Sequence, residues 1–107
     1  MIKNKSLTII FPVFNEEKRL ENLFKHIRNL KNRNLKFFII FVNDGSTDKT
    51  ETIIKDFIRK EKSINYRLIK NNKNQGKGFS IKKGVLKSNS DWILTADVDL
   101  SVDIDQQ

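Results

Sequence analysis

Cysteine is absent from these 107 residues, which excludes disulfides, zinc–thiolate sites and thiol catalysis. Histidine occurs once, as His26. It has no second histidine at metal-ligand spacing and no Ser or Cys nucleophile in an elbow beside it. It lies next to an apolar stripe between Lys25 and Ile27, the place of a structural or solvated side chain. No apolar run approaches the ~20 residues of a membrane span. The stretch Met1 to Ser6 is basic but carries no signal-type apolar segment, so a cytoplasmic location is the default expectation. There is no internal repeat, low-complexity tract or interdomain linker. Neither a Gly-x-x-x-x-Gly-Lys-Ser/Thr phosphate loop nor a Gly-x-Gly-x-x-Gly dinucleotide fingerprint occurs.

Apolar residues make up 37% of the chain and charged residues 32%, the balance of a soluble globular domain with its own core. We read residues 1–107 as one domain. The formal net charge is +8. Such an excess suits nucleic acid, an anionic membrane face or a phosphorylated substrate. A compositional source is the alternative, since Lys, Asn and Ile are abundant together, as in proteins from AT-rich genomes. The basic residues are scattered, without the Arg-rich block or aromatic-interleaved strand of single-strand binders, so no nucleic-acid partner is expected.

Hydrophobic periodicity alternates between strand and helix. Leu7 to Phe11 is an apolar run ended by Pro12, which lacks a ladder N–H. Leu20, Leu23, Phe24, Ile27 and Leu30 recur at helical spacing. Phe37 to Val42 is unbroken apolar sequence rich in β-branched and aromatic types, the mark of a strand buried on both faces of a parallel sheet. Ile53, Ile54, Phe57 and Ile58 form a second stripe, with N-cap candidates at Ser46, Thr47 and Asp48 and Glu51 three residues past Asp48. Ile64, Tyr66, Leu68 and Ile69 predict a third strand, Ile81, Val85 and Leu86 a short helix, and Asp91 to Ala96 a buried fourth strand. This order predicts an α/β, Rossmann-like, mainly parallel sheet with flanking helices, whose ligand lies beyond the carboxyl ends of the strands.

Unusual segments fall at those ends. Asp97 and Asp99 stand one residue apart after the fourth strand. Two such acids repel unless a hard cation sits between them, and Mg²⁺ or Mn²⁺ takes carboxylate and phosphate oxygens. The plainer reading is one helix cap and one solvated acid. In Pro12 to Glu17, Asn15 is a good N-cap and the acids suit a helix start. Glu16 is also placed to accept from a base or sugar hydroxyls. In Asn43 to Asp48, Gly45 permits a tight turn. Asp44 can accept from a nucleobase N–H or a ribose hydroxyl, or serve only as turn and cap. Asn74-Gln75-Gly76-Lys77-Gly78 opens a helix where N–H groups and Lys77 can meet a diphosphate, or is a plain loop.

Taken together, Pro12-Val13-Phe14-Asn15-Glu16-Glu17, Val42-Asn43-Asp44-Gly45-Ser46-Thr47-Asp48, Asn74-Gln75-Gly76-Lys77-Gly78 and Asp97-Val98-Asp99-Leu100-Ser101 resemble the successive motifs of family 2 glycosyltransferases. The Asp-x-Asp-Leu-Ser segment most resembles the dolichyl- and polyprenyl-phosphate hexosyltransferases. The resemblance implies a GT-A fold and inverting transfer of a hexose from a nucleoside diphosphate of the UDP-glucose or GDP-mannose type. It implies that Pro12, Phe14, Glu16, Val42 and Asp44 hold the nucleoside. Asp97 would contact the ribose or the metal, Val98 would pack at the sugar nucleotide, Asp99 would ligate Mg²⁺ or Mn²⁺, and Ser101 would assist. Phe14 stands where many members have Tyr, Asn43 where many have Asp, and Val102-Asp103 where a Pro often follows.

Family catalytic domains run to roughly twice this length. The resemblance therefore implies an N-terminal nucleotide-sugar-binding portion, with the acceptor half and any general base outside these residues. A polyprenyl phosphate acceptor implies peripheral binding at the cytoplasmic face of a membrane. An incomplete domain also implies self-association. The rival readings are a family 2 transferase acting on a polysaccharide or protein-linked sugar hydroxyl, and a basic nucleic-acid-binding α/β module with salt-sensitive binding.

Overall fold

The structure, a computed structural model, describes residues 5–30 and 35–98. Four strands, β1 (Lys5–Val13), β2 (Leu35–Asp44), β3 (Asn65–Asn71) and β4 (Trp92–Thr95), alternate with three helices, α1 (Leu20–Arg28), α2 (Thr50–Lys60) and α3 (Lys77–Leu86). The sheet is parallel throughout, in the order β3-β2-β1-β4. The chain winds outward from β1 to β3 and then crosses back to β4. The reversal leaves a switch point between the carboxyl ends of β1 and β4.

The continuous apolar run of β2 has its explanation in two covered faces. Ile39 and Phe41 join Ile9, Phe11 and Val13 beneath Leu20, Leu23, Phe24 and Ile27 of α1 and Ile54 and Phe57 of α2. The rings of Phe24 and Phe57 stack at 3.9 Å between centroids, with Phe41 edge-on to both. Truncating either ring of that stack to Ala costs about 3–5 kcal/mol by the usual cavity cost. On the other face Ile10, Ile40 and Val42 form a second cluster, against which α3 lies.

That α3 face differs from the expected apolar stripe. The buried α3 residues are Ser80 and Gly84, while Val85 and Leu86 are exposed. A Cβ on Gly84 would sit 2.7 Å from Ile10 Cγ2, so small residues set how closely α3 approaches the sheet.

Three further expectations are corrected. Pro12 does not end β1, because it stays in register with Val42 and the strand continues to Val13. Backbone groups alternate sides along a strand, so the Pro12 nitrogen faces the same way as Ile10, toward β4. The β1–β4 ladder ends with Ile10 opposite Thr95, leaving no ladder bond for Pro12 to break. Second, β4 is an edge strand on which Trp92 and Ile93 are exposed. Third, neither predicted residue takes the N-cap position, although Asp48 accepts from the Thr50 N–H at the start of α2. The N-cap positions are Arg19 and Lys49, and Asn15 and Asp48 are used to join loops.

Candidate functional site

Two loops leave the carboxyl ends of β1 and β2 side by side, and side chains stitch them together. Asn15 adopts a left-handed conformation with φ 51°, which Asn tolerates better than most residues. Its Oδ1 accepts from the Thr47 and Asp48 N–H groups at 2.8 and 3.2 Å. Its own N–H donates to Ser46 Oγ at 2.9 Å. Glu16 N–H donates to Thr50 Oγ1, and Glu17 N–H to Asp48 Oδ2. Asp48 also accepts from the N–H and hydroxyl of Thr50. Burial raises the Asp48 pKa most among single causes, but the bonds from Thr50 and Glu17 together outweigh it and hold the carboxyl below its ordinary value. Glu51, expected to close a capping box, pairs instead with Lys55 and Lys70.

A third loop folds over the end of β2. Gly45, at φ 75°, packs so closely on it that a Cβ would lie 2.6 Å from both Asn74 N and Lys73 C. Asp44 is 4% exposed. Its Oδ1 accepts from the Gln75 N–H at 2.7 Å and from Asn71 Nδ2 at 2.8 Å, and its Oδ2 from the Gly76 N–H at 2.9 Å. Burial pushes the Asp44 carboxyl up, yet donors on Gln75, Asn71, Gly76 and Ser80 more than offset it, so Asp44 stays ionised below the usual carboxylate range.

A cleft of about 230 Å³ opens at the switch point, lined by Pro12, Phe14, Glu16, Asp44, Lys77 and Asp97 together with Val13, Asn74 and Gly76. The expected residues Pro12, Phe14, Glu16, Asp44, Lys77 and Asp97 therefore converge. Val42 and Val98 are buried and do not line it. Val42 packs with Ile10 and Ile40, and Val98 joins the core under α1 and α2. Asp99 and Ser101, the other expected metal ligands, lie outside the described residues. Phe14 presents its ring at the mouth, 44% exposed. Glu16 pairs with Arg19 at 2.7 Å.

Lys77 Nζ sits against both oxygens of Asp97. Among the described residues no three His, Cys, Asp or Glu side chains cluster as metal ligands. The donor on hand is a single carboxylate, of the kind a hard divalent cation takes, and here it is paired with the lysine ammonium. A larger groove of about 370 Å³ runs elsewhere over the sheet, along Thr8, Phe38, Ile40, Arg67 and Lys87, and no carboxylate lines it.

Sequence reasoning missed Asn71, Ser80 and Asn74, which brace Asp44. A signal existed for Asn71 alone, a polar residue ending a strand next to the most buried one.

The strand order and the carboxylate-lined cleft at its switch point define a Rossmann-like sheet of the GT-A kind. A family model described as Glycosyl transferase family 2 matches residues 8–106, and the chain belongs to that family. It is 36% identical over 104 residues to a dolichyl-phosphate beta-glucosyltransferase of Dictyostelium discoideum, covering 92% of this chain and 32% of that protein. The human protein of the same name is 35% identical over 101 residues, covering 89% and 31%. The chain thus spans about a third of the length of these curated relatives. Among solved structures, the mannosyltransferase PcManGT from Pyrobaculum calidifontis, in complex with GDP-Man and Mn²⁺, superposes with TM-score 0.79 at 18% identity, over 90% of this chain and 28% of that one. S. aureus TarS 1–349 in complex with UDP gives TM-score 0.75 at 22% identity, over 88% and 27%. Among the described residues no helix is long and apolar enough to cross a membrane.

Proposed function

We propose that this chain supplies the nucleoside-diphosphate-sugar site of an inverting hexosyltransferase whose acceptor is a polyprenyl or dolichyl phosphate. The observation that carries the reading is the convergence of Phe14, Glu16, Asp44, Lys77 and Asp97 on one cleft at the switch point. The relatives, named dolichyl-phosphate beta-glucosyltransferases, support the acceptor. The GDP-Man and Mn²⁺ bound to one fold neighbour support the donor class.

In this reading the exposed ring of Phe14 takes one face of the base. Asp44 keeps acceptor capacity on Oδ2 for a base N–H or a ribose hydroxyl. Glu16 accepts from sugar hydroxyls. Lys77 moves from Asp97 to the diphosphate, adding positive charge where the leaving group gains negative charge. Asp97, with Asp99 and Ser101, would hold Mg²⁺ or Mn²⁺, which when bound supplies a Lewis acid for the departing β-phosphate. A phosphate acceptor is already anionic and needs no strong general base. The net charge of +8 supports peripheral docking on an anionic membrane, at about 1 kcal/mol for each Lys or Arg near the surface.

Titration of the chain with UDP, GDP and their hexose conjugates, with and without Mn²⁺, tests the donor half. Metal-enhanced binding of one nucleotide class is expected, and no binding of either class overturns the reading. Radiolabelled donor fed to membranes carrying a longer form of the protein tests the acceptor. Label is expected in the lipid phase, and label confined to water-soluble oligosaccharide overturns the lipid acceptor.

A further inference from the structure

The groups that hold Asp44 include one side chain with no other visible task. Asn71 ends β3 directly opposite Asp44 in the β2–β3 register and is 3% exposed. Every polar atom of its amide is committed. Nδ2 donates to Asp44 Oδ1 at 2.8 Å and to Ser80 Oγ at 3.0 Å. Oδ1 accepts from Lys83 Nζ at 2.9 Å, and that ammonium also donates to the Lys70 carbonyl at 3.3 Å. An ammonium cannot accept a hydrogen bond. It must therefore face the amide oxygen, which fixes the orientation of the amide and turns both Nδ2 hydrogens toward Asp44 and Ser80.

We propose that Asn71 is a positioning residue for nucleoside binding. Keyed by Lys83 and Ser80 on α3, its amide turns Asp44 so that Oδ1 anchors the β3–α3 loop and Oδ2 keeps a lone pair for the ligand. The proposal rests on the nucleotide reading of the cleft. It follows from donor geometry. Oδ1 already accepts from Gln75 N–H and Asn71, filling both of its lone pairs, whereas Oδ2 accepts from the Gly76 N–H, and the Ser80 hydroxyl that also lowers the Asp44 pKa is the one other donor a ligand would compete with. Without the Asn71 donor the carboxylate can rotate, and the Gln75 and Gly76 amides lose a fixed partner. One side chain thereby couples the ends of β2 and β3 to the start of α3, and the nucleoside meets a loop already in place. Fixing such groups in advance lowers the ordering cost of binding.

The charged groups around Asp44 are Lys83 on α3, Lys77 at the α3 start, Glu16 after β1 and Asp97 after β4. None donates to Asp44 directly in the described hydrogen bonds, so the neutral amide at position 71 is the side chain to test. Asn71→Asp puts a carboxyl where the amide stands. When protonated, the introduced carboxyl can donate to Asp44 as the amide does. When ionised, it repels Asp44.

The experiment is titration of the full 107-residue chain with UDP and with GDP, at about pH 5 and at about pH 8, by calorimetry. The lower pH favours, and the higher disfavours, a proton shared by the close carboxyl pair. The wild-type chain sets the reference at each pH, because the terminal phosphate of UDP and GDP itself titrates at about pH 6. The Asn71→Asp variant is expected to bind within a few-fold of wild type at the lower pH and about ten-fold more weakly at the higher one, the cost of a lost charge-assisted bond. A residue that only supports folding would not add a pH dependence to the affinity ratio of variant to wild type. Asn71→Leu, of similar size and without a donor, is expected to weaken binding at both pH values and to speed hydrogen exchange at Gln75 and Gly76. An Asn71→Asp affinity that tracks wild type at both pH values overturns the positioning role alone. So does a folded Asn71→Leu variant with wild-type affinity and exchange, which decides the matter where Asn71→Asp fails to fold. A wild-type chain that binds neither nucleotide overturns the nucleotide reading itself.

Discussion

Lys77 Nζ lies 2.6 Å from Asp97 Oδ1 and 2.8 Å from Oδ2, so both carboxylate oxygens hold the one ammonium. The Asp97 side chain is 37% exposed and that of Lys77 59%, and a pair this open contributes at most about 1 kcal/mol to stability. Its importance is electrostatic and local. In the proposed reading the ammonium stands where Asp97 would hold a divalent cation, and a bound diphosphate would give it a better partner.

Lys77→Met accordingly has effects of opposite sign. Affinity for UDP or GDP falls about five- to twenty-fold, the loss of one charge-assisted contact. Affinity for Mn²⁺ alone rises, because no ammonium competes for Asp97. Calorimetry with each ligand separately measures both. Nucleotide affinity unchanged by the substitution would remove Lys77 from the site.

Asn15 carries the second prediction. Asn15→Ala deletes the acceptor shared by the Thr47 and Asp48 N–H groups and leaves a Cβ residue without local hydrogen bonding at φ 51°. A loss of about 2–3 kcal/mol is expected in urea unfolding, from exposed donors and the left-handed backbone. Asn15→Gly recovers the backbone part of that loss. Equal destabilisation by Ala and Gly would show that the backbone conformation adds nothing.

Helices α1 and α2 and the central strands were legible because their signals are periodic. The α1 residues Leu20, Leu23, Phe24 and Ile27 can share a face only in a helix, and the unbroken β2 run leaves room only for two covered faces. Convergence of the site was legible as well, since parallel strands bring their carboxyl ends together. The use of single polar residues was not. Asn15 suits an N-cap and a left-handed turn equally, and only the neighbouring β2–α2 loop decides between them. Asn71 sits in the run Asn71-Asn72-Lys73-Asn74, where its place at the end of a strand hints at a role but nothing local marks it as the amide that meets the Asp44 carboxylate. Trp92-Ile93-Leu94 reads the same at an edge as in the middle of a sheet, because edge position depends on which strands lie beside it.

Acid titration gives a third prediction. Asp44 and Asp48 both have carboxyl pKa values below the ordinary 3.8 when folded. A depressed folded value contributes stability that is fully present above the unfolded value and lost as pH falls through the folded one. The urea midpoint should therefore hold steady above pH ~5 and fall below pH ~4, as these carboxylates take up protons. Asp48→Asn should lower the midpoint at neutral pH and flatten the acid decline. An acid profile identical to wild type would mean that Asp48 contributes nothing to it.

The edge of β4 yields the last prediction. Among the described residues β4 pairs with β1 alone, and its other side carries unpaired backbone groups. Trp92 and Ile93 are 57% and 42% exposed, and Leu86 at the end of α3 is 74% exposed. An open strand edge flanked by large apolar side chains is a template for pairing with another chain. Lys5 Nζ, 5.9 Å from the centre of the Trp92 ring, is a charged neighbour that restrains this only in part. The 107-residue chain should thus self-associate at rising concentration, and Ile93→Lys, which adds an edge charge, should shift it toward monomer without loss of helical circular dichroism. Sedimentation velocity measures both. A wild-type chain that stays monomeric at hundreds of micromolar, or an Ile93→Lys variant that associates as wild type does, would remove the β4 edge as the contact.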